Sequence, residues 1–296
     1  MKVEVSRPGK LLFPDDGVTK GDLAAYYGRV AEHMLPHVKG RPVSMQRFPD
    51  GIDGYGFFHK DVPDHFPGWI RRVKVAKRGG SITHAVIWDR DTLVYLADQA
   101  CITPHVWLSR MDRVRQPDRL VIDLDPSVED FAAVRRAARA AGELLEELGL
   151  APFAMVTGSR GVHVWAPLRR GPDFEEVKAF ARGAARVLVA RHADELTTEA
   201  RKAKRGDRIL LDVARNAYAQ TAVPPYAVRA RPGAPVATPL EWKELSDSRL
   251  RPDRWNVKTL FRRLASKGDP WAGIASEARG LSGPRKRLEA LLREHG

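Results

Sequence analysis

The chain has 296 residues, a formal net charge of +13 and a pI near 10.1. Its 43% hydrophobic and 29% charged residues exclude a disordered or fibrous chain and leave ample material for a core. The charge surplus favours a polyanionic partner, most simply nucleic acid, and the single cysteine, Cys101, excludes an internal disulfide framework. No apolar run approaches the ~20 residues of a membrane span, and MKVEVSRPGKLLFPDD lacks the apolar centre of a signal peptide. These features predict a cytosolic protein without a membrane partner.

The first predicted element is a helix over Thr19–Leu35. Thr19 caps it, Asp22 completes a capping box, Leu23, Tyr27, Val30 and Met34 form its apolar stripe, and Pro36 ends it. From Arg41 to Asp98 the pattern is one of short strands and turns, in RPVSMQR, GYGFFHK, THAVIWD and TLVYLAD. LVIDLDPS then reads as a strand, after which Ser127 caps a long helix with Phe131, Val134, Ala138, Ala141, Leu145 and Leu148 on one side and Gly149 at its end. FAMVTGSRGVHVWAPL reads as strand, turn and strand; a helix follows from about Asp173 to His192, then the strand RILLDV and a basic, partly helical tail. Strands and helices alternate without repeats, which predicts an α/β (α+β) fold with the acidic strand at its centre.

That strand carries the first chemical signal. In an extended chain Ile122 and Leu124 point one way and Asp123 and Asp125 the other, so two carboxylates share one face of a core strand. Such a pair repels itself unless something compensates, and divalent cations such as Mg²⁺ or Mn²⁺ suit carboxylates. Asp212, at the end of RILLDV, has the same character, and three aspartates on two strands can hold two metals ~4 Å apart for phosphoryl transfer. Alone, the pair fits a solvent-facing strand end before Pro126 equally well. The segment VTGSRGVHV adds a tight turn through Gly158 and Gly161, hydroxyls from Thr157 and Ser159, charge from Arg160, and His163 on the face opposite Val162 and Val164. In YAVRARPGAPV, Arg229 and Arg231 are expected on the same side of an extended segment, placed either to clamp a triphosphate or simply as two exposed surface arginines.

Basic residues also cluster. RRVKVAKRGG holds Arg71, Arg72, Lys74, Lys77 and Arg78 without an acid, and RKAKRGDR holds Arg201, Lys202, Lys204, Arg205 and Arg208. With Phe57, Phe58 and Trp69 nearby in sequence they suggest a nucleic-acid groove, whereas each alone fits a solvated loop. Two other metal readings fall away. Cys101 and His105 lack a further thiol partner, and Pro36 stands between His33 and His37.

Together these residues resemble a known family. IDLDP, TGSRGVHV and LLDVARNAYAQTAVPPYAVRARPGAPVATPLEW are similar to the three motifs of the archaeo-eukaryotic primase–polymerase superfamily, specifically the polymerase domain of bacterial ATP-dependent DNA ligase D and its stand-alone relatives. GKLLFPDDGVTKGDLAAYYGRVAEHMLPHVKGRPVS, GYGFFHK and ITPHVWLSR extend the likeness from about Lys10 to Leu245. The resemblance implies a primase–polymerase fold. A catalytic sheet of the RNA-recognition-motif type would pack with an N-terminal α/β module, as one domain over 1–296 divided into 1–85, a core at 86–250 and a basic tail at 251–296.

It implies template-directed nucleotidyl transfer with two Mn²⁺ or Mg²⁺ ions, for gap filling or end processing in break repair, with ribonucleotides accepted. Asp123, Asp125 and Asp212 would be the metal ligands. Thr157 and His163 would contact the nucleotide phosphates, Arg229 the triphosphate, and His105 the sugar, with Ser159, Arg160 and Arg231 counted with them as nucleotide-binding from the residue reading above. Lys10 and Lys20 match a pair that grips a 5′-phosphate, and Phe57 and Phe58 a pair that packs on template bases; Arg47 stands in for a basic residue replaced by Gln46. Implied partners are DNA with a gap or end bearing a 5′-phosphate, ribo- or deoxyribonucleoside triphosphates, and a separate ligase and end-binding protein in the bacterial cytosol, associated with the nucleoid. The chain departs from the family pattern at Thr157, usually Ser, at Arg160, often Lys, and at Val213–Ala214, where an aromatic residue and Leu are common. The same acids also suit a two-metal nuclease or phosphodiesterase, or a nucleic-acid-binding module that has lost catalysis.

Overall fold

The computed structural model describes residues 3–294. Two compact units emerge: one comprises the chain up to Val114 with Thr221–Thr238 and Trp255–Gly268, the other Arg115–Gln220, Pro239–Arg254 and the chain from Asp269 on. Each is drawn from three separate stretches, so divisions near 85 and 250 do not coincide with them.

The first unit opens with the short pair β1 (Leu11–Phe13) and β2 (Val18–Thr19), then α1 (Lys20–Val38). The expected capping box is present. Asp22 N–H donates to the Thr19 hydroxyl oxygen (3.1 Å), and the Thr19 N–H (2.9 Å) and hydroxyl (2.7 Å) donate to the Asp22 carboxylate; these last two hold the Asp22 carboxyl below its usual range. Leu23, Tyr27, Val30 and Met34 are buried as the stripe requires. The helix does not stop at Pro36. The missing donor falls in the last turn, and the Lys39 N–H closes the helix on the Leu35 carbonyl.

Next come β3 (Arg41–Arg47), β4 (Phe57–His59), β5 (Arg72–Lys77), β6 (Gly80–Ile87), α2 (Arg90–Asp98) and β7 (Cys101–Trp107). TLVYLAD is thus a helix rather than the expected strand. A short apolar run fits either period. Here Asp89 decides, accepting the Thr92 N–H at 2.8 Å as a helix cap, and Leu93, Leu96 and Ala97 then fall on one buried face. Later in the chain β13 (Thr221–Ala222) completes a sheet of order β13-β7-β3-β6-β5, with β4 on β3.

The second unit is built on β8 (Arg119–Asp125), α3 (Phe131–Glu147), β9 (Phe153–Val156), β10 (Val162–Pro167), α4 (Phe174–Arg191), β11 (Leu196–Thr197) and β12 (Ile209–Asp212), with β14 (Thr238–Leu240) at one edge. The sheet order is β11-β12-β8-β10-β9-β14. Its centre, β12-β8-β10-β9, is an antiparallel βαββαβ arrangement of order 4-1-3-2, the split βαβ unit of RNA-recognition-motif folds. Asp173 and Glu176 cap α4 reciprocally, and the helix starts where the sequence places it. At α3 the cap is Asp130, accepting the Ala133 N–H at 3.0 Å, while the Ser127 hydroxyl donates to the Arg208 carbonyl (2.7 Å). Asp130 stands directly before the apolar stripe and Ser127 three residues further out. The tail forms α5 (Leu260–Lys267) and α6 (Ser282–Glu294). Among the described residues no helix is long and apolar enough to cross a membrane.

Candidate active site

Strand alternation holds at β8. Ile122 and Leu124 are fully buried, while Asp123 and Asp125 keep 16% and 37% of their side-chain exposure. Register does the rest. On one flank Asp123 lies opposite His163 of β10, and on the other opposite Asp212 of β12. His163 Nε2 approaches Asp123 Oδ1 at 3.3 Å, in an environment that leaves its ring buried and its Nδ1 without a hydrogen-bond partner. Asp212 Oδ1 accepts the Ala214 N–H at 2.9 Å.

Guanidinium groups compensate the clustered acids. Arg215 Nε lies 3.6 Å from Asp123 Oδ2 and 3.5 Å from Asp212 Oδ2. Arg160 Nη2 reaches Asp125 Oδ1 at 3.3 Å, and Arg205 Nη1 lies 3.5 Å from Asp125 Oδ2. Among the described residues no three His, Cys, Asp or Glu side chains converge ready-made on one point. The residues still fit divalent cations by their donor chemistry. Two hard carboxylates face each other across adjoining strands, and a cation, Arg215, already stands between them.

The turn between β9 and β10 is braced from within. The Thr157 N–H and hydroxyl both donate to the Gly161 carbonyl (3.1 Å each), and the Gly158 N–H donates to the Pro252 carbonyl at 3.0 Å. Gly158 sits at φ +66°. Thr157 is buried, whereas Ser159 and Arg160 line a cleft of about 520 Å³ with Pro126, Phe131, Arg135 and Arg251. Sequence reasoning missed Arg215 and Asn216. The buried Asn216 amide accepts the Val121 N–H (2.9 Å) and donates to the Val121 carbonyl (2.6 Å), extending the ladder where β12 ends. Their signal is position: they occupy the 3-10 turn Ala214–Asn216 directly after Asp212.

The remaining predicted residues belong to the first unit. His105 on β7 meets Phe58 edge to face at 5.2 Å. Phe57 and Phe58 point to opposite faces of β4: Phe57 keeps company with Tyr55, His59 and the Arg47 guanidinium, Phe58 with His105. Arg47 donates to the Gln99 carbonyl (2.8 Å) and lies 3.0 Å from His59 Nδ1; burial and that guanidinium hold the His59 pKa below its ordinary value. Arg229 and Arg231 do not share one extended run. Val228 pairs with Val236, and the chain turns between them, with the Arg231 N–H on the Arg229 carbonyl. Tyr27 and Thr103 fix that hairpin: the Val228 N–H donates to the Tyr27 hydroxyl (3.1 Å), and the Thr103 hydroxyl donates to the Val228 carbonyl (2.7 Å). Burial pushes the Tyr27 phenol up, so it stays neutral and also donates to the Ile102 carbonyl. Lys10 pairs with exposed Asp50 at 2.9 Å, while Lys20 is buried and bonded to Ser6 and Asp98. Burial raises the Cys101 thiol to about 12, which keeps it protonated and unsuited to metal. In RKAKRGDR, Arg205 is buried and committed to the Glu199 and Ala200 carbonyls, so it faces inward rather than toward a phosphate backbone.

A split βαβ sheet presenting opposed carboxylates beside a Gly-Ser-Arg turn belongs with enzymes that transfer phosphoryl or nucleotidyl groups. Residues 19–271 match the family model of the LigD primase-polymerase domain. The chain is 33% identical over 279 residues to the multifunctional non-homologous end joining DNA repair protein LigD of Mycobacterium tuberculosis, covering 90% of this chain and 36% of that protein. It is 33% identical over 295 residues to LigD of Pseudomonas aeruginosa, covering 98% of this chain and 34% of that one. The chain therefore spans about a third of the length of these relatives. The solved polymerase domain of M. tuberculosis ligase D in complex with DNA superposes with a TM-score of 0.88 at 31% identity, over 94% of this chain and 99% of that one. The chain belongs to the LigD primase-polymerase domain family, and so is a metal-dependent nucleotidyltransferase of the DNA-polymerase type.

Proposed function

We propose that the chain extends a primer on a DNA template, filling gaps or processing ends in break repair by non-homologous end joining, in the bacterial cytosol. The observation that carries this reading is the register of β8, which sets Asp123 between His163 and Asp212. Asp123, Asp125 and Asp212 are assigned as ligands of two Mn²⁺ or Mg²⁺ ions. Such ions, when bound, acidify the primer 3′-hydroxyl and neutralise the pyrophosphate leaving group.

The chain's own residues do the positioning. His163, held against Asp123, is assigned to a phosphate of the incoming nucleotide. Thr157 shapes the turn that presents Ser159 and Arg160 to the phosphates. Arg229 and Arg231 serve the triphosphate from a hairpin rather than a straight segment, and His105, backed by Phe58, the sugar. Phe57 and Phe58 are assigned to template bases, and Arg47 to DNA. Lys10 and Lys20 are assigned to a downstream 5′-phosphate, for which Lys20 must exchange part of its bonding with Asp98 and Ser6. Ribo- and deoxyribonucleoside triphosphates are the substrates, and a separate ligase and end-binding protein the partners.

The test is extension of a labelled primer on a gapped duplex with a 5′-phosphate, with Mn²⁺ or Mg²⁺ and either class of nucleotide. Metal-dependent extension is expected, reduced at least about a hundredfold in Asp123→Ala. Shortening of the primer instead would make the enzyme a nuclease.

A further inference from the structure

The carboxylates of Asp123 and Asp212 lie directly opposite on antiparallel strands, an arrangement in which like charges destabilise the pair. Neither is engaged through one oxygen alone. Oδ1 of Asp212 accepts the Ala214 N–H and Oδ1 of Asp123 faces His163, which leaves both Oδ2 atoms turned toward Arg215 Nε at 3.5 and 3.6 Å. Those distances exceed the 2.7–2.9 Å typical of a close charge-assisted hydrogen bond. The Arg215 side chain is also 41% exposed, so it is held by charge rather than by packing. Its backbone, by contrast, is fixed, because Asn216 next to it clamps Val121 through two hydrogen bonds. Only the side chain is free to leave.

We propose that Arg215 is a resident counter-cation: it neutralises the Asp123–Asp212 pair when no metal is bound, withdraws when a divalent ion arrives, and thereby sets the affinity of the site for metal. The inference rests on the assignment of these aspartates as metal ligands. A divalent ion, carrying twice the charge and suited to carboxylate oxygens, would outcompete a single charge held at 3.5 Å, but the ion pair must first be broken. Removing the guanidinium therefore destabilises the metal-free protein and strengthens metal binding, a pairing of effects that a merely structural arginine would not give.

The experiment is titration of nucleotide-free protein with Mn²⁺, read by the electron paramagnetic resonance signal of the free ion and by the shift in Tm. Arg215→Met is expected to bind Mn²⁺ about fivefold more tightly than wild type, as follows from a partly exposed ion pair. Its metal-free Tm should fall, and its gain in Tm on adding Mn²⁺ should exceed that of wild type. Arg215→Gln, neutral but polar, should tighten binding likewise and carries the test if Arg215→Met does not fold. Folded variants that bind Mn²⁺ no better than wild type would overturn the proposal. Wild-type binding unaffected by Asp123→Asn would overturn the metal assignment itself, and this inference with it.

Discussion

At Lys20 one ammonium group meets three acceptors: the Asp98 carboxylate at 2.9 Å, the Asp98 backbone carbonyl at 3.3 Å and the Ser6 hydroxyl at 2.8 Å. An ammonium has three donors, so all are engaged. The pair is almost fully withdrawn from water, with side-chain exposures of 5% and 9%. Removing one partner leaves the other charge buried and uncompensated, so Lys20→Met should lower stability by about 3 kcal/mol in a urea melt. Lys10→Met, at an exposed pair, should cost under about 1 kcal/mol while still weakening preference for a 5′-phosphate. Asp98 adds a pH signature. Burial works against its charge, but the bonds from Lys20 and Ser6 prevail and hold its carboxyl below the ordinary value. A depressed folded-state pKa stabilises the protein above the unfolded-state value near ~3.9, and that contribution disappears as pH falls through the folded-state value. Tm should therefore fall below about pH 4 in wild type and fall less steeply in Asp98→Asn. An equal acid slope in both would show that other carboxylates dominate.

The β9–β10 hairpin is the element on which the site turns. A side chain at Gly161 would run into the Leu124 carbonyl of β8, a backbone atom that cannot swing aside. Gly161→Ala should thus push β10 away from β8, separating His163 from Asp123. Primer extension should drop more than about tenfold, with a loss of about 1–3 kcal/mol in stability. Extension and Tm both at wild-type level would show that the hairpin tolerates the shift. This hairpin was legible in the sequence because two glycines interrupt an alternating apolar run, and α1 because a reciprocal cap precedes a stripe of period 3.6. TLVYLAD was not, since its short apolar run fits either period and the decision rests on Asp89. Nor was the Arg229–Arg231 turn, whose shape depends on hydrogen bonds to Tyr27 and Thr103 far away in sequence. Arg215 escaped notice for a related reason. Only when β12 ends in a 3-10 turn does the residue three places past Asp212 come back over the strand it left.

Across the molecule, 50 basic residues exceed 37 acidic ones, yet composition does not say which charges remain available. Arg205 is buried, Arg208 donates to the Arg205 and Lys204 carbonyls, and Arg160 and Arg215 answer the acids of the site. The β5–β6 hairpin differs. Arg72, Lys74, Lys77 and Arg78 are all exposed there, on a stretch without a single acid. Four phosphate contacts from these residues imply a slope of about −3.6 for log affinity against log salt, so a fourfold rise in salt should weaken binding about 150-fold. Converting the four to glutamine should flatten the slope by about that amount and leave the residual binding nearly independent of the hairpin. Fluorescence anisotropy of labelled gapped duplex from about 50 to 200 mM salt provides the comparison. An unchanged slope would mean that the hairpin faces away from DNA, and that the charge which draws the polyanion lies elsewhere, on the exposed Arg201, Lys202 and Lys204 of the second cluster or on the basic tail.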